Sequence, residues 1–425
     1  MQSIISIWVS FVMLFVNFVP GFVLPEEKSD INVHKSYPYV FVHGFLGWGE
    51  DEGINQDLAY WGGTACNLVK ELNEEGYECY AASVGPFSSN WDRACELYAQ
   101  LTGTTVDYGA AHAEKHNHDR YGRTYDKPMI EGWGETDENG LVNKINLIGH
   151  SFGGNTVRLL QALLSQGSAE EMAASPEDCS PLFKGGKADY VNSVVTICSP
   201  NNGTTLYYVA DQLNISLLLT ICAYTYAGVL GRSPLNGYVD FHLEQFGLTY
   251  VPGEKPNEQR MLESMVVMLN HWEDTAMYDM APDTLVELND FIEMDEDTYY
   301  FSYAFDSSTE IPLIGTYAPI ASTFAVLQPF AFMIGSFNNN RITDYEITEE
   351  WYANDGLVSV NSALYPFNAP HKDYEADNIP SGIWNVMPVS IGDHGNAIGI
   401  GVSEETVMTY YINMIEMIES LPVTD

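Results

Sequence analysis

The sequence predicts an α/β fold with a mostly parallel central sheet flanked by helices, and three observations carry that reading. Short apolar runs alternate with amphipathic segments along the chain, the rhythm of strands joined by crossover helices. The stretch "KINLIGHSFGGNT" (144–156) turns on glycines between an apolar run and a helical pattern. The apolar content of 46% supplies a core large enough to cover a sheet on both faces.

Each element follows in order. "YPYVFVHGFLGWG" (37–49) reads as a strand entering a Gly-rich loop, and "CNLVKELNEEGYECYAASVG" (66–85) as a helix followed by a strand. Lys144–Ile148 is a buried strand, and Thr156–Leu164 has helical apolar spacing. "YVNSVVTICSP" (190–200), "DTYYFSYAF" (297–305) and "WNVMPVSIG" (384–392) complete the strands. Two regions break the rhythm: 86–135 is polar, aromatic and His-rich, and 203–255 is apolar and partly helical. Both read as insertions on a single α/β domain spanning 25–425, the second as a helical lid. In "YYVADQLNISLLLTICAYTYAGVL" (207–230), apolar residues all round the helix call for a core or a greasy partner.

Composition narrows the function classes. The formal charge of −41, from 17 basic and 58 acidic residues, disfavours binding to nucleic acid or anionic membrane through a basic surface. The apolar run Ile4–Val19, ending in Pro20-Gly21, reads as a secretory signal peptide over 1–24, although a basic residue near the start is missing. No other stretch is long and apolar enough to span a bilayer, so the mature chain is expected to be extracellular. Six cysteines could form up to three disulfides, but no Cys-x-x-Cys pair suggests a thiolate metal site. Two glycosylation sequons begin at Asn202 and Asn214.

The Gly149-x-Ser151-x-Gly153 turn sets a serine hydroxyl above the C-terminal end of a strand and at a helix N-terminus, where a nucleophile belongs. Such a serine needs a base, and the base needs an orienting acid. Among ten histidines, His394 follows a late strand in a Gly-flanked loop, where an α/β-hydrolase places its base. His150 adjoins the serine but would point away from it. Asp355, in "WYANDGLVSV" (351–360), lies between Ser151 and His394 as that order requires, whereas Asp393 cannot easily fold back onto its neighbour's ring. The Gly-rich loop "HGFLGWG" (43–49) suits an oxyanion hole, with donors assigned to the backbone N–H groups of Phe45 and Phe152. Losing one such donor typically raises a barrier by about 3–4 kcal/mol.

The sequence resembles the secreted zinc-containing lipases of thermophilic bacilli and staphylococci across roughly residues 37–415. The resemblance rests on "VGPFSSNWDRACELYAQLTGTTVDYGAAHAEKHNHDRYGRTY" (84–125), with "YWGG" (60–63), "SPNNGTTL" (199–206), "EDTAMYD" (273–279) and "NDGLVS" (354–359) matching in order. It implies an α/β-hydrolase fold, triacylglycerols as the substrate class, and a triad on Ser151, Asp355 and His394. The family's zinc ligands map onto Asp92, His112, His118 and Asp274, an N₂O₂ set suited to a closed tetrahedral structural Zn²⁺. From spacing alone His116 could equally be nominated. The family's Ca²⁺ carboxylates fall on Asn396 and Gly401 here, so calcium is not carried over. The same triad also serves galactolipases, phospholipases, other esterases and lipid acyltransferases.

Overall fold

The computed structural model describes residues 37–212, 240–248, 271–337 and 346–422, with a few single residues between 238 and 270. The signal-peptide expectation, most of the expected lid, Asn214 and Cys222 lie outside the described residues.

In chain order, β1 (Tyr39–Val42) leads through the Gly-rich loop to α1 (Leu68–Glu74) and β2 (Cys79–Ala82). Then come α2 (Asn90–Thr102), β3 (Thr105–Asp107), α3 (Ala110–His116) and β4 (Tyr121–Thr124). The centre of the fold is β5 (Ile145–His150), α4 (Phe152–Gln166) and β6 (Val191–Ile197). Late in the chain follow β7 (Tyr299–Tyr303), β8 (His371–Asp373), β9 (Trp384–Val386) and α5 (Glu404–Glu419). Seven strands form one sheet in the order β8-β9-β7-β6-β5-β1-β2, and every pairing in it is parallel. The fold is that of an α/β-hydrolase.

Both faces of the central strands are buried, which is why β1, β5 and β6 do not alternate apolar with exposed polar residues, whereas the edge strand β8 is mostly exposed. Val40, Val42, Leu147 and Val194 pack on one side with Leu97 of α2 and Val157 and Leu160 of α4. Tyr39, Phe41, Ile148 and Phe301 pack on the other with Tyr411, Met414 and Ile415 of α5. Helix α5 starts where the Ser403 hydroxyl accepts the Thr406 amide at 3.1 Å, an N-cap of the usual kind.

Two expectations need correction. The region 86–135 is less separate than its polarity suggests: α2 is a core helix packed against α4, burying Ala94, Leu97 and Leu101. Its polar residues face inward to a site rather than outward to water. The strand expected over 384–392 is two short pieces, 384–386 and 390–391, interrupted at Pro388. The described cysteines 66, 79, 95, 179 and 198 are all free thiols. The Asn202 side chain is buried, donating to the Tyr365 carbonyl and accepting from the Phe367 amide, so this sequon is closed in the folded chain.

Candidate active site and metal centre

Strand β5 runs through His150, and the chain then turns sharply at Ser151, which has φ +56° and ψ −130°. A side chain in that conformation is strained, and such strain collects at functional sites. The turn survives because glycines lie two residues to either side of the serine. A Cβ on Gly149 would sit 2.4 Å from the Gly153 carbonyl oxygen, and one on Gly153 would sit 2.1 Å from that of Val42. The Ser151 amide donates to the Ile197 carbonyl at 2.8 Å, fixing the turn to β6.

Asp355 and His394 meet at the same end of the sheet. His394 Nδ1 lies 2.7 Å from Asp355 Oδ2, and both side chains are buried. The other carboxylate oxygen accepts the Leu357 and Val358 amides at 2.9 and 2.8 Å. Asp355 is therefore held as an acceptor, and the imidazole carries its proton on Nδ1 with Nε2 left bare. Asp393 is used elsewhere: its carboxylate accepts the amides of Phe324, Gly395 and Asn396. Ser151 follows the last residue of β5, His150, whose ring lies 4.7 Å from the His394 ring.

Phe45 and Phe152 were the expected oxyanion donors, and what bears on them is the bonding of the amides around them. The amides flanking Phe45 are committed, Gly44 to Tyr60 Oη and Leu46 to the Pro86 carbonyl. Phe152 is the first residue of α4, where a backbone N–H has no intrahelical acceptor. A Cβ on Gly44 would meet the Ser151 Cβ at 2.7 Å, so only glycine lets this loop lie against the serine.

Sequence reasoning missed three residues around these groups. Arg93, fully buried, donates to the Gly85 and His43 carbonyls and the Thr156 hydroxyl, and its guanidinium lies 5.2 Å from the Phe152 ring centroid. Burial lowers its pKa to about 10. Tyr60 and His150 join the loop to the base, as described below. His43 is no competitor as base: Nδ1 donates to the Gly44 carbonyl, Nε2 accepts the Val84 amide, and burial holds the ring neutral.

The four expected metal ligands converge although they lie on distant segments. Asp92 is on α2, His112 on α3, His118 in the turn after it, and Asp274 in a 3₁₀ turn far along the chain. His112 Nε2 is 3.2 Å from Asp92 Oδ1 and 3.3 Å from Asp274 Oδ1, and His118 Nε2 is 3.3 Å from Asp274 Oδ2. These atoms are buried and make no well-oriented hydrogen bonds with one another. Ligands about 2.0 Å from a tetrahedral centre are about 3.3 Å apart, so the spacing is that of a coordination shell. Partners behind the ligands agree: His118 Nδ1 donates to the Asp119 carbonyl at 2.8 Å, aiming Nε2 inward, and Gln245 donates to Asp92 Oδ2 at 2.7 Å. Burial opposes charge on His112, yet the two carboxylates hold its pKa up at about 10. That is compensation a dication supplies with the imidazoles neutral. These residues fit a structural metal, and His116, beside His112 but outside the four, is not needed.

A second set of donors, His150, Cys198 and His394, also lies within 4.8 Å. It differs in kind, because His394 Nδ1 faces Asp355 and both His150 nitrogens are hydrogen-bonded.

A parallel sheet with a strained serine, a histidine and a buried aspartate at one end defines the class of α/β-hydrolases. The family described as "Lipase-like, C-terminal domain" matches residues 35–415. Lipase 2 of Staphylococcus aureus is 36% identical over 388 residues, covering 89% of this chain and 52% of that protein. The chain thus spans about half the length of the curated relatives it matches. The crystal structure of Staphylococcus hyicus lipase is 31% identical with a TM-score of 0.78, covering 93% of this chain and 99% of that one. The structure of EstA from Clostridium botulinum is 36% identical with a TM-score of 0.81, covering 97% of both chains. The chain belongs to this lipase-like family.

Proposed function

We propose that the chain is a secreted serine carboxylic-ester hydrolase acting on lipid esters, with triacylglycerols as its main substrates. The 2.7 Å contact of His394 with Asp355, at the sheet end that carries the strained Ser151, is the observation that carries this reading. Names of the relatives support lipid esters as the substrate class, and the apolar run Ile4–Val19 supports export. Among the described residues no helix is long and apolar enough to cross a membrane.

In the mechanism, His394 Nε2 takes the Ser151 hydroxyl proton as Oγ attacks the ester carbonyl carbon. The Phe45 and Phe152 amides receive the negative charge that develops on the carbonyl oxygen. Collapse expels the alcohol, which leaves with the proton from His394, and the acyl group stays on Ser151. Water then attacks by the same proton route and releases the acid. Zn²⁺ held by Asp92, His112, His118 and Asp274 would be structural, because four protein donors leave no open position. Residues 25–425 form one catalytic domain on this reading, with 203–255 as the lid over Ser151.

The test is covalent labelling by a long-chain alkyl phosphonate, with turnover on emulsified triacylglycerol, galactolipid and phospholipid in parallel. Labelling confined to Ser151, with triacylglycerol turned over fastest, is expected. No labelling overturns the mechanism, and faster turnover of a polar lipid reassigns the substrate.

A further inference from the structure

Gly44 precedes one proposed oxyanion donor, and His394 is the proposed base. Between them runs an unbroken hydrogen-bonded chain. The Gly44 amide donates to Tyr60 Oη at 2.9 Å, Tyr60 Oη lies 2.7 Å from His150 Nδ1, and His150 Nε2 lies 3.2 Å from the His394 carbonyl oxygen. Tyr60, His150 and His394 are all buried.

Elementary donor and acceptor rules give this chain a single direction. A carbonyl oxygen only accepts, so His150 carries its proton on Nε2. A neutral imidazole then has a bare Nδ1, which accepts the Tyr60 hydroxyl proton. The hydroxyl oxygen in turn accepts the Gly44 amide. Hydrogen bonds aligned head to tail polarise and strengthen one another. Burial, with His394 beside it, drives the His150 pKa far down, and burial raises that of Tyr60, so neither link titrates in the working range.

The chain passes behind the nucleophile. His150 is the residue before Ser151, and its ring is 4.7 Å from the His394 ring and packs against Trp61. Neither Tyr60 nor His150 has a role in the proton transfers or the oxyanion hole. What they fix is the separation between the loop that stabilises the oxyanion and the ring that moves the proton.

We propose that Tyr60 and His150 are positioning residues for ester hydrolysis, a neutral strut holding the oxyanion loop and His394 in register across Ser151. The proposal rests on the function assigned above. The strut acts where the tetrahedral intermediate forms, so its loss falls on kcat and not on ground-state binding. A misplacement of about 1 Å at such a site can cost about 100-fold.

Tyr60→Phe removes the hydroxyl and keeps the ring. We expect kcat on a soluble short-chain ester to fall about 10- to 100-fold, with KM changed less than about twofold. Affinity for an alkyl boronic acid, whose adduct with Ser151 is tetrahedral, should fall by the same factor as kcat. Trp61→Phe perturbs packing around His150 without cutting the chain, so it should lower Tm and leave kcat and boronate affinity near wild type. Nitrogen-15 shifts of the unsubstituted protein should show His150 neutral and protonated on Nε2 from about pH 5 to 9, below and above an ordinary histidine pKa. Tyr60→Phe with kcat and boronate affinity within twofold of wild type overturns the strut, as does a charged or Nδ1-protonated His150. An inactive Ser151→Ala beside a fully active Tyr60→Phe sinks the strut alone, whereas an active Ser151→Ala sinks the reading beneath it.

Discussion

Asp355 holds His394 twice: its carboxylate faces Nδ1 at 2.7 Å, and its backbone carbonyl accepts the His394 amide at 2.9 Å. The side-chain contact sets the tautomer, and the backbone contact sets the position of the loop. The two functions can therefore be separated by substitution. Asp355→Asn keeps the backbone bond and presents an amide to Nδ1, favouring the wrong tautomer, so kcat should fall about 10⁴-fold with Tm little changed. Ser151→Ala should cost about 10⁶-fold. Steady-state kinetics with purified variants check both, and substantial activity in Ser151→Ala would refute the mechanism.

Metal removal should act on stability before chemistry. Asp92 and Asp274 come from distant segments, so an ion held by both would cross-link them. Chelation by phenanthroline should lower Tm while short-ester turnover in the cold persists. His118→Ala should behave like the chelated protein and His116→Ala like wild type. Metal analysis is expected to find one zinc per chain. Equal thermal damage from the two substitutions would contradict the ligand set.

Calcium should matter little. Asn396 Oδ1 accepts the Asp393 amide at 2.8 Å and its Nδ2 donates to the Ile400 carbonyl at 3.0 Å, closing the loop that bears His394. A side chain performs there what the resemblance gives to a cation. A calcium-selective chelator should leave Tm and activity unchanged. Asn396→Ala removes two partly buried hydrogen bonds and should cost about 1 kcal/mol, read by urea unfolding. A large Tm rise on adding calcium would argue against this.

Acid sensitivity has an identifiable source in Asp240. Burial works against its charge, but His242 and the paired Arg123 guanidinium, at 3.0 Å from both oxygens, lower its pKa to about 2. The folded value lies below the unfolded value of about 3.9. The carboxylate therefore contributes stability that is fully present above about pH 4 and lost as pH falls towards 2. Asp240→Asn should flatten that part of the stability curve. Thermal melts at half-unit steps check it, and identical slopes for the two proteins would count against the assignment.

The strand–turn–helix around Ser151 was legible because sheet and helix periodicities differ and the glycines between them mark the change. His394 and Asp355 were reachable from chain order once the serine stood. The metal ligands were not readable from spacing, since Asp274 is brought to the histidines only by the fold. The depth of α2 was misjudged because its polar residues Asp92, Arg93 and Glu96 are all buried, Asp92 among the metal-ligand candidates and Arg93 and Glu96 under the loop that carries Gly85. Tyr60 stood in "YWGG" and His150 beside the serine, but the bond between them was not readable, as it connects elements that only the fold makes neighbours.

The strut from His150 to the His394 carbonyl joins residues 244 positions apart. A ribosome delivers the nucleophile turn long before it delivers the base, and pairings so distant in the chain form late. The growing polypeptide therefore holds Ser151 without its proposed proton acceptor until residue 394 has emerged.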